Sequence, residues 1–460
     1  MSKCSSPEAY QLLHDGSLAL AQVEHNGIRI DVDYLKRTRI AIQQDCKEKE
    51  AWMRQHPYWK IWRKRFGQKA ALSSSDQLAH VLFKELNYEV TGLTKKGKAS
   101  TDRTALEKID DPFVRAYTEW AELMKADGTF LSGIERETID SILHPIFNLH
   151  IVKTFRSSSE APNFQNLPVR NGKISKLVRS CFIPRPGRRL VEIDYGGIEV
   201  KVAACYHQDP TMLTYIHDPT KDMHRDMAAE IYKCDPSNVN KMLRYVAKNR
   251  YVFPEFYGSY WARVAPDLWG AIELFKMTID KGDKQIPVAK WLAKRGIEEL
   301  GDEHDSNSFM YHIKKVEANF WGKRFPVYDE WRKKWYKEYL RTGGYRTLTG
   351  FYIEGIYKKN DVINHPVQGS AFHCLLWSLI EIQKELKQRR MKTKVVGQIH
   401  DSIVGDVVEK EYDRYLRICK EIMTERIREE WDWLIVPLEI EAEAGEVDQS
   451  WFEKKKVELN

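Results

Sequence analysis

The sequence predicts an α+β protein in which a sheet-bearing centre is flanked by helical lobes. Three observations lead there. Arg189 to Asp194 is a strand-like run that ends at a Gly-Gly turn. Val395 to Val408 sets apolar runs on both sides of His400-Asp401, as a β-hairpin with a polar tip does. Long stretches on either side of these segments carry helical periodicity instead.

In chain order, residues 8–56 read as helix, interrupted at Asn26-Gly27 and restarted after Asp31. Ser73, Ser74 and Ser75 precede a helical pattern through Leu86, and one of them is placed to cap it. Residues 92–101 form a basic, Gly-containing loop, and 102–135 return to helix. Near 150 the chain becomes polar and looped before the strand at 189–194. Residues 210–342 are mostly helical, with a charged loop at 300–308. After the hairpin, a long helix is expected over about 410–432 and a strand over Val436 to Ala444. There is no internal repeat and no long low-complexity stretch.

A chain of 460 residues has room for roughly two to four compact units. Hydrophobic residues at 42% and charged residues at 30% fit a globular protein. No apolar run reaches the ~18 residues of a membrane helix, and the N-terminus lacks a signal core, so a cytoplasmic protein without a membrane partner is expected. Seven scattered cysteines without a CxxC argue against a disulfide framework or a zinc site. The net charge of +7 is weak evidence by itself. Its distribution says more: Trp59, Lys60, Trp62, Arg63, Lys64 and Arg65 interleave aromatics with cations, and so does Trp331 to Lys337. Each stretch fits a surface that attracts phosphate and stacks on bases. Each also fits an amphipathic helix with a solvated basic face.

Two carboxylates carry the chemical signal. Asp194 ends an apolar strand, and Asp401 sits at a hairpin tip. Aspartates on adjacent strands can share a pair of Mg²⁺ ions, which favour carboxylates, waters and substrate phosphates. Two ions about 3.5–4 Å apart stabilise the attacking and leaving oxygens of phosphoryl transfer. An aspartate at a strand end is also a common turn-former, so the spacing leaves both readings open.

The motifs then become recognisable. RSSSEAPNFQNLPVR (156–170), DYGGIE (194–199), RYVAKNRYVFPEFYG (244–258), NHPVQGSA (364–371) and QIHDSIV (398–404) occur in the order in which family A (DNA polymerase I-like) DNA polymerases carry them. The chain resembles the polymerase region of that family from about residue 15 onward; LAQVEHNGIRIDVDYL (20–35) and SSDQLAHVLF (74–83) resemble its upstream part. The resemblance implies a right-hand fold with an antiparallel-sheet palm and helical fingers and thumb. Residues 1–150 would form an N-terminal helical region and thumb, 151–209 and 356–460 the palm, and 210–355 the fingers. It implies a template-directed enzyme that extends a primer 3′ end with dNTPs on a primed DNA template. Two Mg²⁺ ions would serve it, with Mn²⁺ able to substitute.

Carried over residue by residue, the resemblance makes Asp194 and Asp401 metal ligands, with the backbone carbonyl of Tyr195 a further one. Arg244 and Lys248, on one helix face, would clamp the triphosphate. Phe253 and Tyr257 would lie against the incoming nucleotide, and Glu199 would crowd a ribose 2′-hydroxyl. Arg156, Asn163, Gln165, Asn364, Gln368 and His400 would face the primer–template. Without the family, Arg244 and Lys248 read as solvated helix charges, Asn364 and Gln368 as capping or core amides, and His400 as a hairpin residue.

Three departures stand out. The stretch RYVAKNRYVFPEFYG (244–258), which resembles the family's motif B, carries one residue more than the family spacing between Lys248 and Phe253, next to Pro254, which predicts a bulge that returns Phe253 and Tyr257 to the face of Lys248. Ser402 stands where cellular family members usually have Glu, as in single-subunit RNA polymerases of phages and mitochondria. Gly196-Gly197 replaces the more usual Ser-Gln. A single-subunit-type RNA polymerase is therefore the first alternative, and a non-catalytic nucleic-acid-binding relative the second. The polymerase-like region starts near residue 15, so no proofreading exonuclease is expected. A phage-like or mobile-element origin, a bacterial host cytoplasm, a monomer, and a separate exonuclease or replisome protein as partner complete the expectation.

Overall fold

The computed structural model describes residues 4–94, 97–169 and 171–459. Lys95 and Lys96 of the basic loop, and Arg170 at the end of the 156–170 stretch, lie outside the described residues.

The centre is a five-stranded antiparallel sheet. Its order is Lys394–Ile399, Ser402–Val408, Arg188–Tyr195, Ile440–Ala444, Lys455–Val457. Side chains alternate across it. Val191, Ile193 and Tyr195 are buried on one face, where the Tyr195 hydroxyl lies 2.8 Å from Ser378 Oγ. Ser378 belongs to the long helix Lys359–Gln388, which runs behind the sheet and is buried through most of its middle. Glu192 and Asp194 point to the other face. Apolar residues thus fix the strand register, and that register brings the acidic face together.

The first helix, Pro7–Asn26, is capped by Ser6 and packs against the long helix and the first sheet strand. Gly16 permits this crossing: a Cβ there would stand 2.6 Å from Leu376 Cδ2. Asn26 Nδ2 donates to Val395 O at 2.9 Å. The break at Asn26-Gly27 holds a short strand, Ile28–Ile30, that pairs with Ile142–Leu143 and Phe182–Ile183. Asp31 caps Val32–Gln55, accepting from Tyr34 N at 2.9 Å. Ser74 is the serine that caps Ser75–His80. The helical stretch expected over 102–135 is broken at 107–111, where Asp111 caps Pro112–Lys125.

Residues 210–342 are mostly helical, with the loop at 300–308 as expected. A hairpin, Thr278–Lys281 with Lys284–Pro287, interrupts them. The helix expected over 410–432 is Tyr412–Lys420 and Ile427–Glu430 joined by a π-turn. The strand expected over 436–444 is Ile440–Ala444; Val436 and Leu438 are buried outside the ladder.

Both basic-aromatic stretches are amphipathic helices. Trp59 and Trp62 are buried side by side, and Trp331 stacks on Trp335 within an aromatic cluster around Tyr206. The base-stacking reading therefore fails for Trp59 and Trp62, whose rings serve the core. Lys333 and Lys334 pair with Asp329 and Glu330. Lys60, Arg63 and Lys64 remain exposed and pair with no described carboxylate.

Candidate active site

Asp194 is the penultimate residue of the central strand, directly across from Ser402. Asp401 precedes Ser402 in the hairpin turn, which His400 closes in the left-handed region at φ +50°. The tip is held firmly. Tyr195 N donates to Asp401 O at 3.2 Å, and Gln398 Nε2 donates to His400 O at 2.8 Å. Gln398 Oε1 accepts in turn from Ser157 Oγ at 2.7 Å and Gln165 Nε2 at 2.8 Å.

This arrangement sets the Asp194 and Asp401 carboxyls beside each other, close enough that each shifts the other's titration. Burial pushes the Asp194 carboxyl well above the usual carboxylate range, and the charges of Asp401, Glu192 and Glu441 push it further. Burial raises Asp401 as well, against the opposing pull of a backbone N–H, Asp194, His400 and Arg156. Asp194 Oδ1 is buried without a hydrogen-bond partner. Two half-buried, mutually repelling carboxyls with an unanswered oxygen suit a dication, which would replace the missing donor and cancel the repulsion. Among the described residues no group of three or more His, Cys, Asp or Glu stands ready to hold a metal, so the fit rests on this pair and the Tyr195 carbonyl beside it.

A cavity of about 320 Å³ opens beside Asp401, lined by Arg156, Glu199, Phe253, Tyr257, Asn364, Gln368, His400 and Asp401 among others. Glu199 enters it from the first turn of Ile198–His207, after Gly197 at φ +62°. Its carboxylate accepts from the Tyr257 hydroxyl and, at 3.3 Å, from Arg156 Nη1. Asn364 Nδ2 donates to Tyr257 O at 3.3 Å, so the long helix tethers the segment that carries Tyr257.

The motif B segment contains the expected bulge. Lys241–Ala247 is α-helical, Lys248–Val252 is a π-turn, and Phe253–Phe256 resumes as helix. A π-turn absorbs one extra residue without turning the following side chains off their face. The Lys248 ammonium consequently lies 5.2 Å from the Phe253 ring centre. Pro254 falls at the start of the resumed helix, where its missing N–H costs least. Arg244 projects from the same segment and pairs with Asp222 at 2.6 Å.

Not every nominated residue faces the cleft: Asp194, Tyr195, Arg244 and Lys248 do not line it. Gln165 is tied inward to Ser157 and Gln398, although it also lines a second cavity of about 730 Å³ between the first helical region and the sheet. Asn163 is exposed beside that region and lines neither cavity. One residue escaped the sequence reading. His224 stands edge-on to Phe253 at 5.8 Å, with Nδ1 buried and unpartnered. Burial lowers it to about 4, helped by the charges of Lys248 and Arg244. Nothing in its local sequence announces this; only the packing of Met223–Ile231 against the motif B segment brings it there.

The fold is that of a polymerase domain. The structure superposes with a TM-score of 0.73 on the POL domain of Pol1 from M. smegmatis, determined in complex with DNA primer-template and dNTP. The two are 21% identical, and the match covers 96% of this chain and 70% of that one. A family profile for DNA polymerase family A matches residues 41–287 and 319–453, and the chain belongs to that family. It is similar to the thermostable DNA polymerase I of Thermus aquaticus, 27% identical over 446 residues, covering 96% of this chain and 48% of that protein. It is also similar to DNA polymerase I of Lactococcus lactis, 25% identical over 467 residues, with 99% and 47% covered. The chain spans about half the length of the curated relatives it matches.

Proposed function

We propose that this chain is a DNA-directed DNA polymerase that extends a primer 3′ end with dNTPs on a primed DNA template. The observation that carries the reading is the meeting of Asp194 and Asp401, remote in sequence, at one half-buried position, with Asp401 lining a nucleotide-sized cleft. The family membership and the motif B geometry support it.

In this reading Asp194, Asp401 and the Tyr195 carbonyl hold two Mg²⁺ ions, or Mn²⁺ in their place. Such ions lower the pKa of the attacking 3′-hydroxyl and stabilise charge on the reacting phosphate. The protein's own share is positioning and electrostatics. Lys248 and Arg244 meet the triphosphate, and Arg244 exchanges Asp222 for it. Phe253 and Tyr257 form the wall against which base and sugar lie. Glu199 fills the space beside the sugar, held there by Tyr257 and Arg156. Arg156, Asn364, Gln368 and His400 read the minor-groove side of the new pair, where acceptors recur in every correct pair. Gln165 sets the hairpin tip from behind, and Asn163 borders the duplex. The sheet and its helices (151–209, 356–460) act as palm, 210–355 as fingers, and 1–150 as an N-terminal helical region and thumb.

Ser402 favours one second reading, a single-subunit-type RNA polymerase. Extension of a primed DNA template with Mg²⁺ and either dNTPs or rNTPs distinguishes them. The expected outcome is efficient dNTP incorporation, weak rNTP incorporation, and loss of at least about 10³-fold in rate for Asp401→Ala. Preference for rNTPs would transfer the assignment to the alternative; no extension with either, or an Asp401→Ala protein as active as the parent, would end it.

A further inference from the structure

The acidic face of the central strand holds a third carboxylate that the proposed mechanism leaves unused. Glu192 lies two residues before Asp194, so both side chains leave the same face of the sheet. Ser402 sits across from Asp194, and Val404 across from Glu192. The Ser402 hydroxyl lies 3.2 Å from Glu192 Oε1. Glu192 Oε2 accepts from Trp451 Nε1 at 2.9 Å and from Lys454. Trp451 is fully buried and stacks on Phe164 with ring centres 5.5 Å apart, so this anchor is rigid. One oxygen of Glu192 is thus pinned, and the other is aimed at the hairpin tip that carries Asp401.

We propose that Glu192 is a positioning residue of the cation site, supplying from the central strand the negative charge that a glutamate at position 402 would supply from the hairpin. A glutamate at 402 would bring its carboxylate toward Glu192 in a confined space, whereas the hydroxyl there carries no charge and has both Ile399 O at 3.1 Å and Glu192 Oε1 at 3.2 Å as acceptors. The exchange is a matter of complementarity: one carboxylate fits between the two strands, and this chain carries it on the neighbour. Lys454 moderates the charge, because it is shared with Glu443 at 2.6 Å and so does not neutralise Glu192 alone. Arg179, with its guanidinium 4.2 Å from the Trp451 ring centre, lies behind the same anchor. The role rests on the proposed Asp194–Asp401 cation site and extends it.

The test is direct binding of Mn²⁺, followed by electron paramagnetic resonance of the free ion, on the full chain without DNA or nucleotide. The parent is expected to bind and Asp401→Ala to lose binding; if the parent binds no Mn²⁺, the cation site itself fails. Given parent binding, Glu192→Gln keeps an amide oxygen to accept from Trp451, turns its other end into an N–H that the Ser402 hydroxyl oxygen can accept, removes the charge, and should weaken binding about 10-fold. Lys454→Met should tighten it, since Glu192 then acts without its counter-ion. Moving the carboxylate back, Glu192→Ala with Ser402→Glu, should return binding to within about 3-fold of the parent. Unchanged Mn²⁺ affinity in Glu192→Gln, with a lower melting temperature only, would make Glu192 a structural ion-pair residue and overturn the proposal. So would Lys454→Met weakening binding. These two single variants decide the question even if the double variant does not fold.

Discussion

The carboxylate of Glu199 is held from both sides of the cleft, by the Tyr257 hydroxyl and the Arg156 guanidinium. A side chain fixed in this way can exclude a neighbouring hydroxyl, because yielding would break charge-assisted hydrogen bonds. In the proposed enzyme, Glu199→Ala should therefore raise rNTP incorporation relative to dNTP by roughly 10–200-fold, the range one small group is worth in a shaped pocket. Competition kinetics on one primed template measure it; an unchanged ratio would remove Glu199 from sugar selection. A second carboxylate makes a different prediction. Glu255 is fully buried at the end of the motif B segment, with Oε2 accepting from Trp321 Nε1 at 3.0 Å and Oε1 unpartnered. Burial pushes it up to about 8 from an ordinary value of 4.5. Between those values the folded chain keeps a proton that the unfolded chain releases, so this group makes stability fall as pH rises through that window and adds no slope above it. The slope is about 1.4 kcal/mol per pH unit at most. Glu255→Gln should abolish it, and the stability of the variant relative to the parent should rise by about 2 kcal/mol from pH 5.5 to 7.5 in denaturant titrations.

At the scale of elements, the π-turn at Lys248–Val252 accounts for an extra residue that would otherwise rotate Phe253 by about 100° from Lys248. If accommodation is its whole role, removing one exposed residue should leave a regular helix with the same face. Deletion of Asn249 is expected to keep the fold and to change the dNTP KM by less than about 5-fold, whereas deletion of the buried Tyr251 should abolish activity. A large loss on deleting Asn249 would mean that the bulge itself shapes the pocket. The bulge was legible in the sequence because spacing and proline conflicted there. The hairpin at 278–287 was not read, although its two-residue Gly282-Asp283 turn is a known hairpin signal. Helical periodicity on both sides outweighed four-residue strands. The caps at Asp31 and Ser74 could be read because they depend on neighbours a few residues away. His224 and the Gln165–Gln398 network could not, because each depends on which remote segments pack together.

Across the whole molecule, the first helix ties together parts that are far apart in sequence. Ser6 N donates to Gly350 O at 3.0 Å, Ala19 O accepts from Gln383 Nε2 at 3.0 Å, and Asn26 bonds the strand leading to the hairpin tip. Arg185 joins the Asn26 carbonyl to the buried Asp406 of the same hairpin. Leu20, 1% exposed, lies within this junction, on the helix face that meets the long helix and the first strand. Its loss removes a filled volume from the support of the catalytic sheet, not from a peripheral lobe. Leu20→Ala should cost about 2–5 kcal/mol. Because the helix contacts strand and long helix at once, protection of the amides of Lys394–Ile399 against hydrogen exchange should fall by the same free energy as protection of Pro7–Asn26. Exchange that loosens the first helix alone, with the strand unaffected, would show that the helix is an attachment; a joint loss would show that the sheet bearing Asp401 is completed only when the chain's first helix closes against it.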